Sequence, residues 1–354
     1  MVTMLDCIRR VPERIRLIAD RREENFSLLA EFLRKETPDE ILLIGSGTSY
    51  TAAFTARRLA EEASGIRVTV SSPSDFLHAS TVRNPHALYV FVSQSGTSAV
   101  LLDAMRYVKG LGLPAALVSA SGDSLAAKEA DWYLDMGAGN EEYGMRTIGY
   151  STSVLTLQLL GVTAGQARGV LSGETVKQYA AQLEKGAEAI PGIIQRTLEW
   201  MDHSRRNIMR SRFIAFTGMA DLYGVAMEGA VKMWEAPQYP SAGFELDEGM
   251  HGPNFGYNDN DALIVLYNGA PGSEKALALA RYMKNEHHNG YVFGTETIDE
   301  HDLLIQPQGG PFFALEYAAA VQTFMYRLAV DGGRDLSVQE TNRVMRSYFD
   351  SHIR

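Results

Sequence analysis

A single cysteine, Cys7, stands among 354 residues, so no disulfide can form within the chain, and a reducing, cytoplasmic setting is expected. Basic residues are the minority: 33 Lys and Arg against 43 Asp and Glu leave a formal charge of −10. That balance argues against a nucleic-acid backbone as partner, because such affinity comes from clustered Lys and Arg. No apolar run approaches the ~18 residues a membrane span needs. The stretch MVTMLDCIRRVPERIRLIAD is charged and amphipathic and lacks the apolar centre of a signal peptide. Spaced His and Cys ligands are missing, and the adjacent His287-His288 is expected to face solvent, so neither a metal nor a redox cofactor is expected. G-x-x-x-x-G-K-[ST] is absent, which speaks against a nucleotide triphosphatase. What remains is an ordinary globular composition, 45% hydrophobic and 21% charged, in a chain long enough for two packed domains.

Short aliphatic and β-branched runs are present in number. EILLIGSG (40–47), RVTVSS (67–72), ALYVFVS (87–93) and AALVSAS (115–121) alternate with amphipathic stretches of helical length. That alternation predicts a parallel sheet with helices on both faces. A mostly helical stretch follows over 150–208. The strand pattern then returns in RFIAFTG (212–218), ALIVLYN (262–268), GYVFGTE (290–296) and DLLIQPQ (302–308), before a last apolar helix over 314–331. The halves match each other. An offset of 173 pairs Gly45 with Gly218, Tyr50 with Tyr223, Ala53 with Ala226 and Glu62 with Glu235, and RYVK (106–109) matches RYMK (281–284) at an offset of 175. The expected organisation is therefore a helical segment over 1–34 and two duplicated α/β domains, each a doubly wound parallel sheet, over 35–190 and 191–354.

Two strand-to-helix junctions in the first half are rich in hydroxyls. SQSGTS offers Ser93, Ser95, Thr97 and Ser98 around Gly96, and GSGTS adds Thr48 and Ser49 one strand earlier. Free N–H groups and the helix dipole favour an anion at such junctions, so the two turns are candidates to hold one phosphate without Lys or Arg. The plainer alternative is that these residues cap two helices. A dinucleotide site fits less well: Tyr50 stands where G-x-G-x-x-G has its third glycine, and no acid follows Ser71-Ser72. The second half has NGAPGS where the first has SQSGTS, which predicts a single phosphate-type site.

The second constellation is AMEGAVKMWEAPQYPSAGFELDEGMHGP (226–253). Glu228, Lys232 and Glu235 recur at helical spacing, and a loop containing Pro240 and Gly243 leads to His251. A carboxylate and an imidazole suit proton movements on a sugar: transfer between adjacent carbons, and opening of a hemiacetal ring. The alternative is a solvated helix face with an i, i+4 ion pair, followed by a structural loop histidine.

GSGTS, SQSGTS, EGAVKMWE and HGP, in this order over about residues 35–345, resemble the double sugar-isomerase (SIS) domain proteins, among them the isomerase half of glucosamine-6-phosphate synthase. The resemblance implies that Ser49, Ser93, Gln94, Ser95 and Ser98 hold a sugar phosphate, with Thr48 and Gly96 in the same turns. Glu235 would carry a proton between C1 and C2, and Lys232 would lie near the first hydroxyls. His251 would open the ring from the neighbouring protomer of a homodimer. NEEYGMRTIGYSTS (140–153) aligns with a segment near the sugar and brings Glu141 to the site.

Departures from the synthase narrow the expectation. Val2 stands where that enzyme has its amide-transfer cysteine, and no such domain is expected ahead of the SIS part. Lys284 is the last lysine, Ile148 replaces another, and Val344, between Arg343 and Arg346, takes the place of a catalytic tail lysine. Arginine is too basic to form a Schiff base in its stead. Stand-alone double-SIS chains of this kind look most like deglycases, which cleave a 6-phosphofructosyl or glucosyl-type amine to hexose 6-phosphate and free amine. Aldose–ketose isomerisation, amino-sugar deamination and non-catalytic sugar-phosphate sensing stay open.

Overall fold

The computed structural model describes residues 2–336 and Tyr348. Val344, Arg343 and Arg346 of the expected tail comparison lie outside the described residues. The chain divides into two compact units. The first takes Glu13–Glu142 and Ile148–Ala181. The second takes the chain through Pro12, then Tyr143–Thr147, then the chain from Gln182 through the last long helix.

Four helices come first: α1 (Met4–Arg9), α2 (Val11–Asp20), α3 (Arg22–Asn25) and α4 (Ser27–Lys35). Thr3 starts α1 through a capping box with Asp6, so two otherwise orphaned N–H groups are satisfied. The first sheet alternates strands and helices: β1 (Glu40–Gly45), α5 (Thr48–Ser64), β2 (Arg67–Ser71), α6 (Pro73–His78), β3 (Ala87–Val92), α7 (Ala99–Gly110), β4 (Ala115–Ser119), α8 (Leu125–Glu129) and β5 (Trp132–Asp135). All pairings are parallel, in the order β2-β1-β3-β4-β5. Strand β3 is buried at every position, as a central strand covered on both faces must be.

Helix α9 (Ile148–Ala167) is buried on nearly every side, which explains why its sequence has no polar stripe. It lies close against α5: a Cβ on Gly161 would meet the Ala60 carbonyl oxygen at 2.6 Å, so only glycine permits this approach.

After α10 (Gly173–Ile208), the second sheet is built from β6 (Phe213–Gly218), α11 (Asp221–Glu235), β7 (Ser241–Glu245), β8 (Asp261–Tyr267), α12 (Glu274–His287), β9 (Gly290–Gly294) and β10 (Leu303–Leu304), and α13 (Ala314–Asp331) follows. Its order, β10-β9-β8-β6-β7, is that of the first sheet strand for strand. The duplication extends to detail. Gly47 (φ 55°, ψ −126°) and Ala220 (φ 54°, ψ −120°) take the same unusual conformation before α5 and α11. Lys109 binds Asp131, which accepts from the Ala115 N–H; Lys284 binds Asp302, which accepts from the Val292 N–H.

Two strands differ from expectation. Trp132–Asp135 forms an edge strand, and Ser241–Glu245, read from sequence as loop, forms β7. Gly243 is needed there because a Cβ would lie 2.6 Å from the Ala226 carbonyl oxygen of α11. The residue that suggested a turn is instead where a helix presses on a strand.

Candidate active site

In the first unit, the order of strands reverses between β1 and β3, and their carboxyl ends pair Gly45 with Val92. This is the switch point at which open α/β sheets bind ligands. The GSGTS turn leaves β1 there, and SQSGTS leaves β3. A Cβ on Gly45 would lie 2.9 Å from the Ser49 backbone, so glycine brings the start of α5 tight onto the strand. Gly96 has φ 64°, and a Cβ on it would lie 2.6 Å from the Ser124 Cβ. The sequence reasoning missed Ser119 and Ser124, which floor the turn from the end of the next strand. The signal for Ser119 was the serine-rich close of AALVSAS, and Ser124 follows it as the cap of α8.

The hydroxyls do not cap the helices. Gly47 is the N-cap of α5 and Ser98 that of α7, and neither makes a side-chain capping bond. The chain does use serine caps at α6 and α8, where Ser72 and Ser124 accept from backbone N–H groups. Ser93 turns inward and accepts from the Gly96 N–H at 3.1 Å, while Ser95 is exposed and shares a 2.9 Å hydrogen bond with Thr97. Thr48, Ser49 and Ser98 are half-buried at the two helix starts. The result is short donors and helix N-termini at one sheet end, which suits an oxyanion.

Gln94 and Glu141 meet. The Gln94 amide donates to Glu141 at 3.1 Å, and the two Glu141 oxygens also accept from the Ile148 and Gly149 N–H groups at 2.9 and 3.1 Å. Glu141 is buried and fixes both the start of α9 and the Gln94 side chain. Gly149 has no Cβ because the Gln94 amide occupies that space.

In the second unit, Lys232 is fully buried in α11 with its ammonium between Glu235, at 2.6 Å, and Glu228, at 3.3 Å. Burial works against the charge, but Glu228 and then Glu235 outweigh it and hold the Lys232 pKa above the ordinary lysine value. This is no solvated helix face: Glu228 is as buried as Lys232, and only Glu235 reaches the surface, with 39% of its side chain exposed. The group is therefore a carboxylate offered to solvent on a rigid ammonium. Trp234 is exposed with its indole N–H on the Ser241 carbonyl, whereas Tyr239 packs into the core of this unit.

His251 lies in an exposed loop after β7. Its Nδ1 meets the Asp247 carbonyl oxygen at 2.8 Å. A carbonyl can only accept, so Nδ1 carries the hydrogen and the neutral ring presents a bare Nε2. Glu245 accepts from the Asp247 and Glu248 N–H groups, and Lys275 holds the Asp247 carboxylate at 2.7 Å, which steadies the carbonyl that orients the ring.

Comparison with known proteins bears on this arrangement. Residues 34–164 match the SIS domain family model, a span that takes in both hydroxyl-rich turns and Glu141. Over those residues the chain is similar to a SIS domain. The chain is 25% identical over 310 residues to a Caulobacter vibrioides glutamine–fructose-6-phosphate aminotransferase (isomerizing), covering 85% of this chain and 50% of that protein. It thus spans about half the length of the curated relatives it matches. Among solved structures, a Clostridium difficile 630 protein provisionally assigned as a phosphosugar isomerase has a TM-score of 0.89 at 22% identity, with 99% of each chain covered. The C-terminal domain of glucosamine-fructose-6-phosphate aminotransferase from Francisella tularensis has 0.85 at 20%, covering 94% of this chain and 96% of that one. The chain shares the fold of both.

Among the described residues, no helix is long and apolar enough to cross a membrane.

Proposed function

We propose that this protein is a cytoplasmic phosphosugar enzyme, and specifically a deglycase that cleaves a 6-phosphofructosyl or glucosyl-type amine to hexose 6-phosphate and free amine. The observation that carries the reading is Glu235, a half-exposed carboxylate bonded at 2.6 Å to an ammonium buried between it and Glu228. A binding module has no use for a buried ion pair behind one exposed carboxylate. A proton shuttle does, because the ammonium fixes the carboxylate's position and stabilises its charged form between transfers.

In the proposed reaction the phosphate is held by Ser49, Ser93, Ser95 and Ser98, with Thr48 and the Gly96 backbone beside them. Gln94 contacts the substrate, and Glu141 acts through Gln94. The His251 Nε2 takes the hydroxyl proton that opens the hemiacetal ring. Glu235 then removes a proton from C1 of the fructosyl amine while the C2 oxygen takes up a proton, giving an enaminol, and returns its proton to C2 as the amine nitrogen gives up its N–H proton. The C1 imine so formed is hydrolysed by water, which releases the amine and leaves the aldose phosphate. Lys232, buried behind Glu235, steadies that carboxylate and does not reach the first hydroxyls as the resemblance implied. The reading includes a homodimer in which His251 serves the partner's site, in keeping with its place on an exposed loop.

The test is phosphorus NMR of the wild type and Glu235→Gln with a mixed pool of hexose 6-phosphates and 6-phosphofructosyl amino acids. Conversion of an amine adduct by the wild type alone supports the deglycase and names its substrate. Interconversion of free hexose phosphates replaces it with an isomerase, and binding without turnover in either protein replaces it with a sensor.

A further inference from the structure

The amino ends of β9 and β10, the end of the second sheet opposite α11's start, border a cavity of about 380 Å³ in which basic groups from three separate segments meet. His203 and Arg206 come from the last turns of α10, His288 from the residue before β9's approach, and His301 from the loop before β10. Lys284 and Asp299 also line it, but they neutralise each other at 2.8 Å, and Lys284 spends its remaining reach on buried Asp302. Arg206 pairs with no carboxylate among the described residues. Three of the eight histidines of the chain therefore share a cavity with one uncompensated guanidinium.

A second observation is independent of charge. Ser204 lines the same cavity, is 5% exposed, and its hydroxyl has no hydrogen-bond partner among the described residues. Elsewhere in α10, Thr197 donates to the carbonyl four residues back at 2.8 Å, as a helical hydroxyl ordinarily does. The carboxyl end of a helix favours basic residues, which accounts for Arg206 alone. It does not account for an orphaned hydroxyl or for imidazoles on two other segments. Nor do the histidines group as metal ligands among the described residues.

We propose that this cavity binds a phosphomonoester, held by Arg206, the imidazoles of His203, His288 and His301, and the Ser204 hydroxyl. A guanidinium, ring N–H donors and a hydroxyl match the several acceptor oxygens of a phosphate, and the volume suits a small metabolite. The site is separate from the reaction proposed above and does not depend on it.

Inorganic phosphate is the probe, titrated into the full chain with its histidine rings labelled with carbon-13. The His203, His288 and His301 signals should move together with one midpoint, and Arg206→Ala and Ser204→Ala should each raise that midpoint, Arg206→Ala by about tenfold. His251 reports separately on the proposed reaction site. Unmoved signals, the same midpoint in both variants, or equal shifts with chloride at matched ionic strength would each overturn the site.

Discussion

Glu235 and Lys232 show how much a single side chain's surroundings decide. Glu235→Gln should abolish turnover by several orders of magnitude while leaving phosphosugar binding intact, because the change keeps shape and removes only the proton carrier; a kcat and KM measurement separates the two. Lys232 belongs to a different class of prediction. Removing it as Lys232→Met strands Glu228 as a buried charge, and stability should fall by about 3–5 kcal/mol in urea titration. The double variant Glu228→Gln with Lys232→Met should recover part of that loss, since it is the stranded charge that costs. At this scale the sequence was readable in identity but not in environment. The spacing of Glu228, Lys232 and Glu235 indicated one helix face, and the same spacing fits a surface ion pair; only packing distinguishes a lysine that is fully buried from one in water. Ser98 was ambiguous for the matching reason, since capping is decided by where the hydroxyl turns.

Elements carry their own tests. Gly47 and Ala220 hold equivalent positive-φ turns, a conformation that strains any residue with a Cβ. Ala220→Gly should therefore raise the melting temperature, and Gly47→Ala should lower stability by about 1–3 kcal/mol. Helix α13 supplies a pH dependence. Glu316 is buried in its first turn and accepts from the Gln308 and Gly309 N–H groups at 2.8 Å each. Burial outweighs those two bonds and raises its pKa to about 7. The folded protein then holds a proton that the unfolded chain, with an ordinary carboxyl near 4.5, has released. Stability should fall as pH rises from roughly 4.5 to 7 and level off above it. Glu316→Gln should remove that slope from urea midpoints measured across the range, at the cost of one N–H bond at every pH. Strand-rich elements were legible where aliphatic runs were long, as in β1, β3, β6 and β8. β5 and β7 were not, since WYLD is short and SAGFE contains the glycine that α11 requires.

For the whole molecule, the proposed sharing of His251 predicts complementation. Glu235→Gln and His251→Asn should each be inactive alone, yet mixing them after dissociation should restore about a quarter of wild-type turnover, because half the dimers are mixed and each of those has one site intact. Failure to recover activity in verified mixed dimers would place His251 in its own protomer's chemistry. The duplication was legible from offsets of 173 and 175 in the sequence, and the repeated strand order bears it out. Interleaving was not legible, because no local pattern tells a helix near the start which sheet it will join.

That helix is α1. Its Met4, Leu5, Cys7 and Ile8 are buried, and it packs against α13. On the ribosome, α1 emerges about 300 residues ahead of the helix that covers it, so its apolar face stays uncovered for roughly 15–60 s of synthesis. The first unit can complete its sheet within that interval, while the second must wait for its own beginning and end to meet. The second unit therefore closes only after α13 has been made, which sets the order in which the two cores can form.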